Sequence, residues 1–405
     1  MDNPRFIVVC PKGVATGGPE ALHQLSRSLR DAGAKSAMWD PDSIRRNADA
    51  VSQYDIYGNH WLETEPAAGD VLVIPEVLSE LIPKFYSSNI CIFWWLSVDN
   101  FFESEFLPIE VIRDCFPKVI HTYQSEYARR FLEQSQVPDA ISVSDYLNPE
   151  FLKQSDEFLA TLIEKKKGGL LAINPAKGLE RTLQLLEKLP EERVIRLEKM
   201  TASEVSKALQ RATYYLDLGH HPGKDRFPRE AATQGCIVLT NKRGSAANDI
   251  DIPIDPDDFK FDDTDPDFVQ TIYSKLLEID LDLELSSKKQ STYRTTVKEQ
   301  KYCFDNEVSK LLIYVSSIVD SSSKDELSRE DIVTSYLSSL FIERDALIHE
   351  RDALMHERDA LMHERDALAE SVSIATQKVD KLKMSLSWKL TRPLRQIDSL
   401  LRNRS

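Results

Sequence analysis

The sequence predicts an α/β fold of two Rossmann-like domains followed by a long C-terminal helix with heptad repeats. Three observations lead there. Short buried-type strands alternate with amphipathic helices up to about residue 150; the alternation restarts after the Lys-rich turn at 164–169; and from Glu343 a seven-residue unit recurs as ERDALIH, ERDALMH, ERDALMH and ERDALAE. At 405 residues the chain exceeds one ordinary core. The expected division is residues 1–150 and 151–320 for the two halves, 321–384 for a helical arm and 385–405 for a basic amphipathic tail.

In the first half, Arg5 to Cys10 reads as a buried strand, and the loop PKGVATGG places Gly17 and Gly18 before Pro19, a residue suited to a first helical turn. Leu22, Leu25 and Leu29 then form one apolar helical face until Gly33 stops it. Further strands are expected at 36–39, 71–74, 90–96, 119–122 and 140–143, with helices at 107–115 and 125–133. In the second half the order is strand 170–173, helix 179–189, strand 194–197 and a capping box, Thr201 to Glu204, that opens a helix ending near Arg211.

The stretch 214–248 draws most attention. Tyr214 to Leu218 reads as a strand, and a Gly/His/Pro loop carrying Lys224, Asp225, Arg226 and Arg229 leads into a helix expected to begin at Glu230 and to end at Gly235. A buried parallel strand, 236–240, and a Gly-containing turn, 242–245, follow. A cationic loop at the carboxyl end of such strands, entering a helix N-terminus, suits an anionic group such as a pyrophosphate. Helices are expected around 267–277 and 297–318, and the Ser-rich stretch 316–328 reads as a hinge.

A net charge of −15 excludes a general nucleic-acid binder, since no overall positive field gathers phosphates. Five widely spaced cysteines fit buried thiols of a reducing compartment better than a disulfide frame or a zinc site. With its longest apolar run at 90–96 and no signal peptide, the chain reads as cytoplasmic. The acidic stretch 249–267 contains Asp249-Ile250-Asp251, which could hold a divalent cation but reads better as a solvated loop of turn formers. His349, His356 and His363 belong to a ladder of helix-supporting side-chain pairs rather than to a metal site. With one Leu per heptad, the repeats at 343–370 make a weak self-association seam. From Arg329 to Met384 the arm would span about 80 Å as a continuous helix. The tail places Lys389, Arg392 and Arg395 among Trp388, Leu390 and Leu394, a pattern suited to peripheral contact with an anionic membrane face.

Over about residues 5–260 the chain resembles bacterial GT-B fold glycosyltransferases that use nucleotide sugars in cell-surface polysaccharide synthesis. The carrying residues are Gly17-Gly18-Pro19-Glu20, Lys177-Gly178, the segment 123–137 (YQSEYARRFLEQSQV) and the segment 230–240 (EAATQGCIVLT); the tail SLSWKLTRPLR is similar to one appended to such enzymes. The sequence departs from the family in three places. Pro222 stands where the first Glu of an E-x7-E motif ending at Glu230 would be, AINPAKG lacks the basic residue ahead of Lys177, and WWLSVDN lacks the usual His.

The resemblance implies a metal-independent hexosyltransferase that moves a sugar from a nucleotide-diphosphate donor to a polysaccharide or lipid-linked glycan acceptor, with no cofactor beyond the donor substrate. It implies donor binding by Gly17, Gly18, Lys177, Lys224, Arg226, Arg229 and Glu230, the last on the ribose hydroxyls. Asp99 and Asp225 are the catalytic candidates, Asp99 to orient or deprotonate the acceptor hydroxyl. Two alternatives stand beside it: a catalytically inactive GT-B-shaped scaffold in a polysaccharide assembly complex, and a nucleotide-sugar epimerase.

Overall fold

The computed structural model describes residues 4–42, 49–104, 107–137, 139–166 and 169–321. The heptad repeats, the long arm and the basic tail lie outside them.

Six parallel strands form the first sheet: β1 (Arg5–Val9), β2 (Lys35–Trp39), β3 (Val71–Pro75), β4 (Ile90–Trp95), β5 (Ile120–Tyr123) and β6 (Ile141–Ser142), in the order β2-β1-β3-β4-β5-β6. Pairing is in parallel register throughout, for example Val8 with Met38 and with Val73. Side chains alternate between the two faces, as the strand period requires. Phe6, Val8, Val73, Ile92 and Trp94 pack with Leu22, Leu25 and Leu29 of helix α1 (Gly17–Asp31). The opposite face carries Ile7, Leu72, Phe93 and Trp95, all buried. Helices α2 (Leu81–Phe85), α3 (Val98–Ser104), α4 (Ile109–Cys115) and α5 (Glu126–Gln134) complete this half.

The second sheet has five strands, β7 (Leu171–Ile173), β8 (Val194–Arg196), β9 (Tyr214–Asp217), β10 (Ile237–Asn241) and β11 (Lys260–Phe261), in the order β11-β10-β9-β7-β8. Its helices are α6 (Asp156–Lys165), α7 (Leu179–Leu186), α8 (Ala202–Arg211), α9 (Arg226–Thr233), α10 (Pro256–Phe259), α11 (Phe268–Leu281) and α12 (Leu283–Lys289). The capping box opens α8 as its spacing predicts: Glu204 donates its N–H to the Thr201 hydroxyl, and its carboxylate accepts the Thr201 N–H.

The last helix, α13 (Ser291–Ser321), belongs to both cores. Tyr293 and Val297 pack in the second, while Phe304, Val308, Leu311 and Val315 pack in the first. It runs into the stretch expected to be a hinge. The hydroxyls of Ser316 and Ser317 turn back onto the carbonyls of Leu312 and Tyr314, so serines there need no solvent or turn to satisfy them.

Other expectations need correction. Helix α9 begins at Arg226 rather than Glu230, because Pro228 falls within the first turn, where its missing N–H costs no helical bond. Helix α6 was not anticipated; the Ser155 hydroxyl caps it by accepting the Phe158 N–H. Of the cysteines, Cys10, Cys91 and Cys236 are buried and none is paired, but Cys303 is exposed on α13. Among the described residues no helix is long and apolar enough to cross a membrane.

Candidate functional site

The carboxyl ends of both sheets feed loops into one region where the halves meet. The strand β9 ends at Asp217, and the loop after it lies against the loop after β4. Val98 donates its N–H to the Pro222 carbonyl at 3.0 Å, and Ser97 forms an antiparallel bridge with Gly223. Any Cβ on Gly223 would collide with the Leu96 carbonyl, so glycine is what permits this approach. The loop after β7 is held as closely. Gly178 has φ +60, and a Cβ there would come within 2.5 Å of the Leu218 and Gly219 backbone.

On this frame the expected residues fall into three groups. In the first, Lys177 places its ammonium 2.8 and 3.0 Å from the two oxygens of Asp225. Asp225 also stands 2.8 Å from Nδ1 of the fully buried His221, whose Nε2 is 3.8 Å from Asp217. Neither ring nitrogen makes a well-directed hydrogen bond, so charge is what joins this set. Burial opposes protonation of His221, yet Asp217 and Asp225 outweigh it and raise its pKa. Burial pushes Asp225 up, but His221 and Lys177 prevail and hold it below the usual carboxylate range.

Asp217, His221 and Asp225 offer ligand atoms within 4.8 Å of one another, the spacing of a cation site. The two His221 nitrogens, however, face different carboxylates, and the Lys177 ammonium already lies on Asp225. The Lys177 ammonium and the His221 ring therefore share the two carboxylates between them.

In the second group, Arg226 lies between carboxylates of the two halves. It bonds Glu20 in the first turn of α1 and stands 3.5 Å from Glu230. Glu20 in turn accepts from the Tyr57 hydroxyl at 2.6 Å and from Asn148 at 3.1 Å. Gly17 and Gly18 open α1 beside it, and a Cβ on Gly17 would lie 3.1 Å from Cδ of Arg226. Glu230 is buried, and burial raises its pKa. Arg229, beneath, spends its guanidinium on Asp145 (2.9 and 2.7 Å), Gln300 (2.9 Å) and the carbonyls of Lys224 and Asp225. Lys224 bonds the Ser144 hydroxyl and is 3.9 Å from Asp145. Burial lowers its pKa.

The third group is Asp99 at the start of α3. Its Oδ2 is 2.8 Å from Nε2 of His220, and its Oδ1 accepts the Tyr127 hydroxyl at 3.2 Å. The structure therefore brings Lys177 to Asp225 and Arg226 to Glu230, and joins Asp99 to a residue not expected, His220. It also adds Glu20, Asp145, Asp217 and His221. The available signal was the acid–His–acid spacing of Asp217, His221 and Asp225 at the end of a strand.

The acidic pair is not the solvated loop expected. Asp249 is exposed and pairs with Lys260, but Asp251 is buried and accepts the N–H groups of Glu126 (2.8 Å) and Tyr127 (3.0 Å). Its carboxylate satisfies the open N-terminus of α5 from the other half. A cavity of about 1200 Å³ lies elsewhere, lined by α6, α11, α12 and the start of α13 and by none of these strand-end loops.

No protein-family model matches the chain, and no curated protein matches its sequence. Solved structures do match. HepE of Anabaena, in complex with UDP and glucose, aligns with TM-score 0.57 and 11% identity over 78% of this chain and 100% of its own. A glycosyltransferase from Rickettsia africae aligns with TM-score 0.56 and 11% identity over 79% and 100%. Sucrose-phosphate synthase from Thermosynechococcus elongatus gives 0.56 and 10% over the same shares. The chain has the fold of these enzymes. Its two parallel sheets with flanking helices are the architecture of the GT-B type.

Proposed function

We propose that the protein is a glycosyltransferase of the hexosyl type, moving a sugar from a nucleotide-diphosphate donor to a polysaccharide or lipid-linked glycan acceptor without a metal ion. The observation that carries the reading is the meeting of the Lys177–Gly178 and Gly219–Asp225 loops at the carboxyl ends of β7 and β9, which presents a cation where open parallel sheets bind ligands. Glycosyl transfer requires stabilisation of the charge growing on the leaving diphosphate. Among the four expected cations the side-chain exposures are 34% for Lys177, 20% for Arg226, 13% for Lys224 and 1% for Arg229. Lys177 and Arg226 therefore face the donor, with the first-turn N–H groups at Gly17 and Gly18 beside Arg226. Lys224 and Arg229 hold the loop. Glu230 accepts from the ribose hydroxyls, and Asp225 fixes Lys177.

HepE was solved with UDP and glucose, which makes UDP-glucose the first donor to test. The expected result is release of UDP in the presence of EDTA, and a Lys177→Ala variant that binds UDP about tenfold more weakly, about 1.4 kcal/mol. Activity abolished by EDTA and restored by manganese would overturn metal independence and return Asp217, His221 and Asp225 as ligands.

One observation favours a second reading, a scaffold without turnover. Each of the four cations stands beside a carboxylate, and three of those pairs, Arg226 with Glu20 and both Lys224 and Arg229 with Asp145, join the two halves. A protein that binds UDP yet releases no sugar from UDP-, ADP-, GDP- or dTDP-glucose would be that scaffold.

A further inference from the structure

Asp99 and His220 come from different halves, yet the backbone pins both. Val98, next to Asp99, donates to the Pro222 carbonyl, and Ser97 bridges Gly223, so two residues of each loop hold the backbones together within three residues of the pair. Tyr127, which donates to the second Asp99 oxygen, is itself fixed by its N–H on Asp251. The pair remains open to solvent, with 49% of the His220 side chain and 28% of Asp99 exposed. An ion pair that open contributes little to stability. The halves are already joined there by backbone contacts and by the buried pair of Arg229 with Asp145. A structural clasp gives no reason for an exposed imidazole at this point.

We propose that His220 is the general base of the transfer reaction, with Asp99 as its positioning residue. This rests on the glycosyltransferase reading above and adds its stereochemical course. Asp99 accepts the Nε2 proton of His220, which leaves Nδ1 as the basic nitrogen, and both Asp99 oxygens are engaged, so the carboxylate orients rather than abstracts. Imidazole accepts and returns protons near neutral pH.

In the step, the acceptor hydroxyl gives its proton to His220 Nδ1 while its oxygen forms the new bond to the anomeric carbon. The bond from that carbon to the phosphate oxygen breaks, and its electron pair leaves with the nucleoside diphosphate, facing Lys177. The Asp99 carboxylate stabilises the imidazolium, which returns its proton to solvent. Attack opposite the leaving group inverts the anomeric configuration. Pro222, which stands where the resembled E-x7-E motif has its first Glu, offers no carboxylate, and its carbonyl is taken by Val98.

The test uses the full chain with UDP-, ADP-, GDP- and dTDP-glucose and water as acceptor, with NMR identifying the anomer first released. For the donor that turns over, β-glucose appears first from the α-linked donor. His220→Asn lowers kcat at least about 100-fold, while affinity for the matching nucleoside diphosphate stays within about twofold, which also shows that the variant is folded. Asp99→Asn lowers kcat with the same unchanged affinity. Release of α-glucose first, or a His220→Asn variant with kcat within about threefold of the unaltered chain, overturns the base while leaving the transferase standing. Absence of turnover of every donor by the unaltered chain overturns both.

Discussion

Glu76 shows how one side chain sets the conditions under which the site is held. It lies in the turn after β3, only 3% exposed, and accepts the Leu96 N–H at 3.0 Å, so it supports the loop that carries Asp99 from below. Burial pushes its pKa up to about 8, against the lowering effect of the N–H groups of Leu96 and Ser97. The folded chain then holds a proton that the unfolded chain releases near 4.5, so stability is fully present below 4.5 and falls as pH rises toward 8. The contribution lost is on the order of 4 kcal/mol. His221, raised by Asp217 and Asp225 against its burial, acts in the same direction, and its stability is lost as pH rises through its folded value. Urea unfolding of the unaltered chain and Glu76→Gln between pH 5 and 8.5 separates the two. The unaltered chain is expected to lose more stability than the variant over that window, and parallel curves would show that Glu76 is not protonated in the fold.

Elements were legible where one local signal sufficed. The buried strands announce themselves as apolar runs, and Thr201 with Glu204 gives α8 its start. What the sequence hid depends on partners distant along the chain. Asp225 occupies the N-cap position of α9 but makes no cap bond, because its oxygens serve Lys177 and His221; a reader of local signals therefore places the helix start too late. Asp251 reads as a loop residue because the helix it caps begins at Glu126, in the other half. Likewise Arg229 reads as a ligand-facing cation until Asp145 and Gln300 are placed around it. Lys177-Gly178 reads as a motif in the sequence, and the close approach of Leu218 and Gly219 is the physical reason for its glycine. Gly178→Ala combines a left-handed backbone with a 2.5 Å approach to Leu218 and Gly219, and is expected to cost about 2–4 kcal/mol in chemical denaturation. A loss under about 1 kcal/mol would show that the two loops are not as tightly joined as described.

At the scale of the molecule, α13 makes the two sheets one unit. Its first turns fill the second core with Tyr293 and Val297, Gln300 reaches Arg229 at the junction, and Phe304, Val308, Leu311 and Val315 close the first core. Polar contacts follow the same course: Asp305 accepts from Ser28 at 2.8 Å, and Glu307 accepts from Ser142 at 2.6 Å and from the Ser144 N–H at 2.8 Å. A chain ending at Gln290 would expose the apolar face of α1 and strand β6, and is expected to unfold or aggregate. A chain ending at Ser322 keeps every one of these contacts. It removes the repeats at 343–370, proposed here as a self-association seam, and the basic tail around Trp388, proposed as a contact with anionic lipid. With the site intact, UDP affinity should match that of the full chain. Light scattering should show the full chain associating and the shorter one monomeric, and only the full chain should sediment with vesicles containing phosphatidylglycerol. Because the shorter chain retains both cores, equal behaviour in the two assays would remove the arm and tail as oligomeriser and anchor without touching the proposed activity. Loss of UDP binding would instead mean that residues beyond Ser322 complete the donor site.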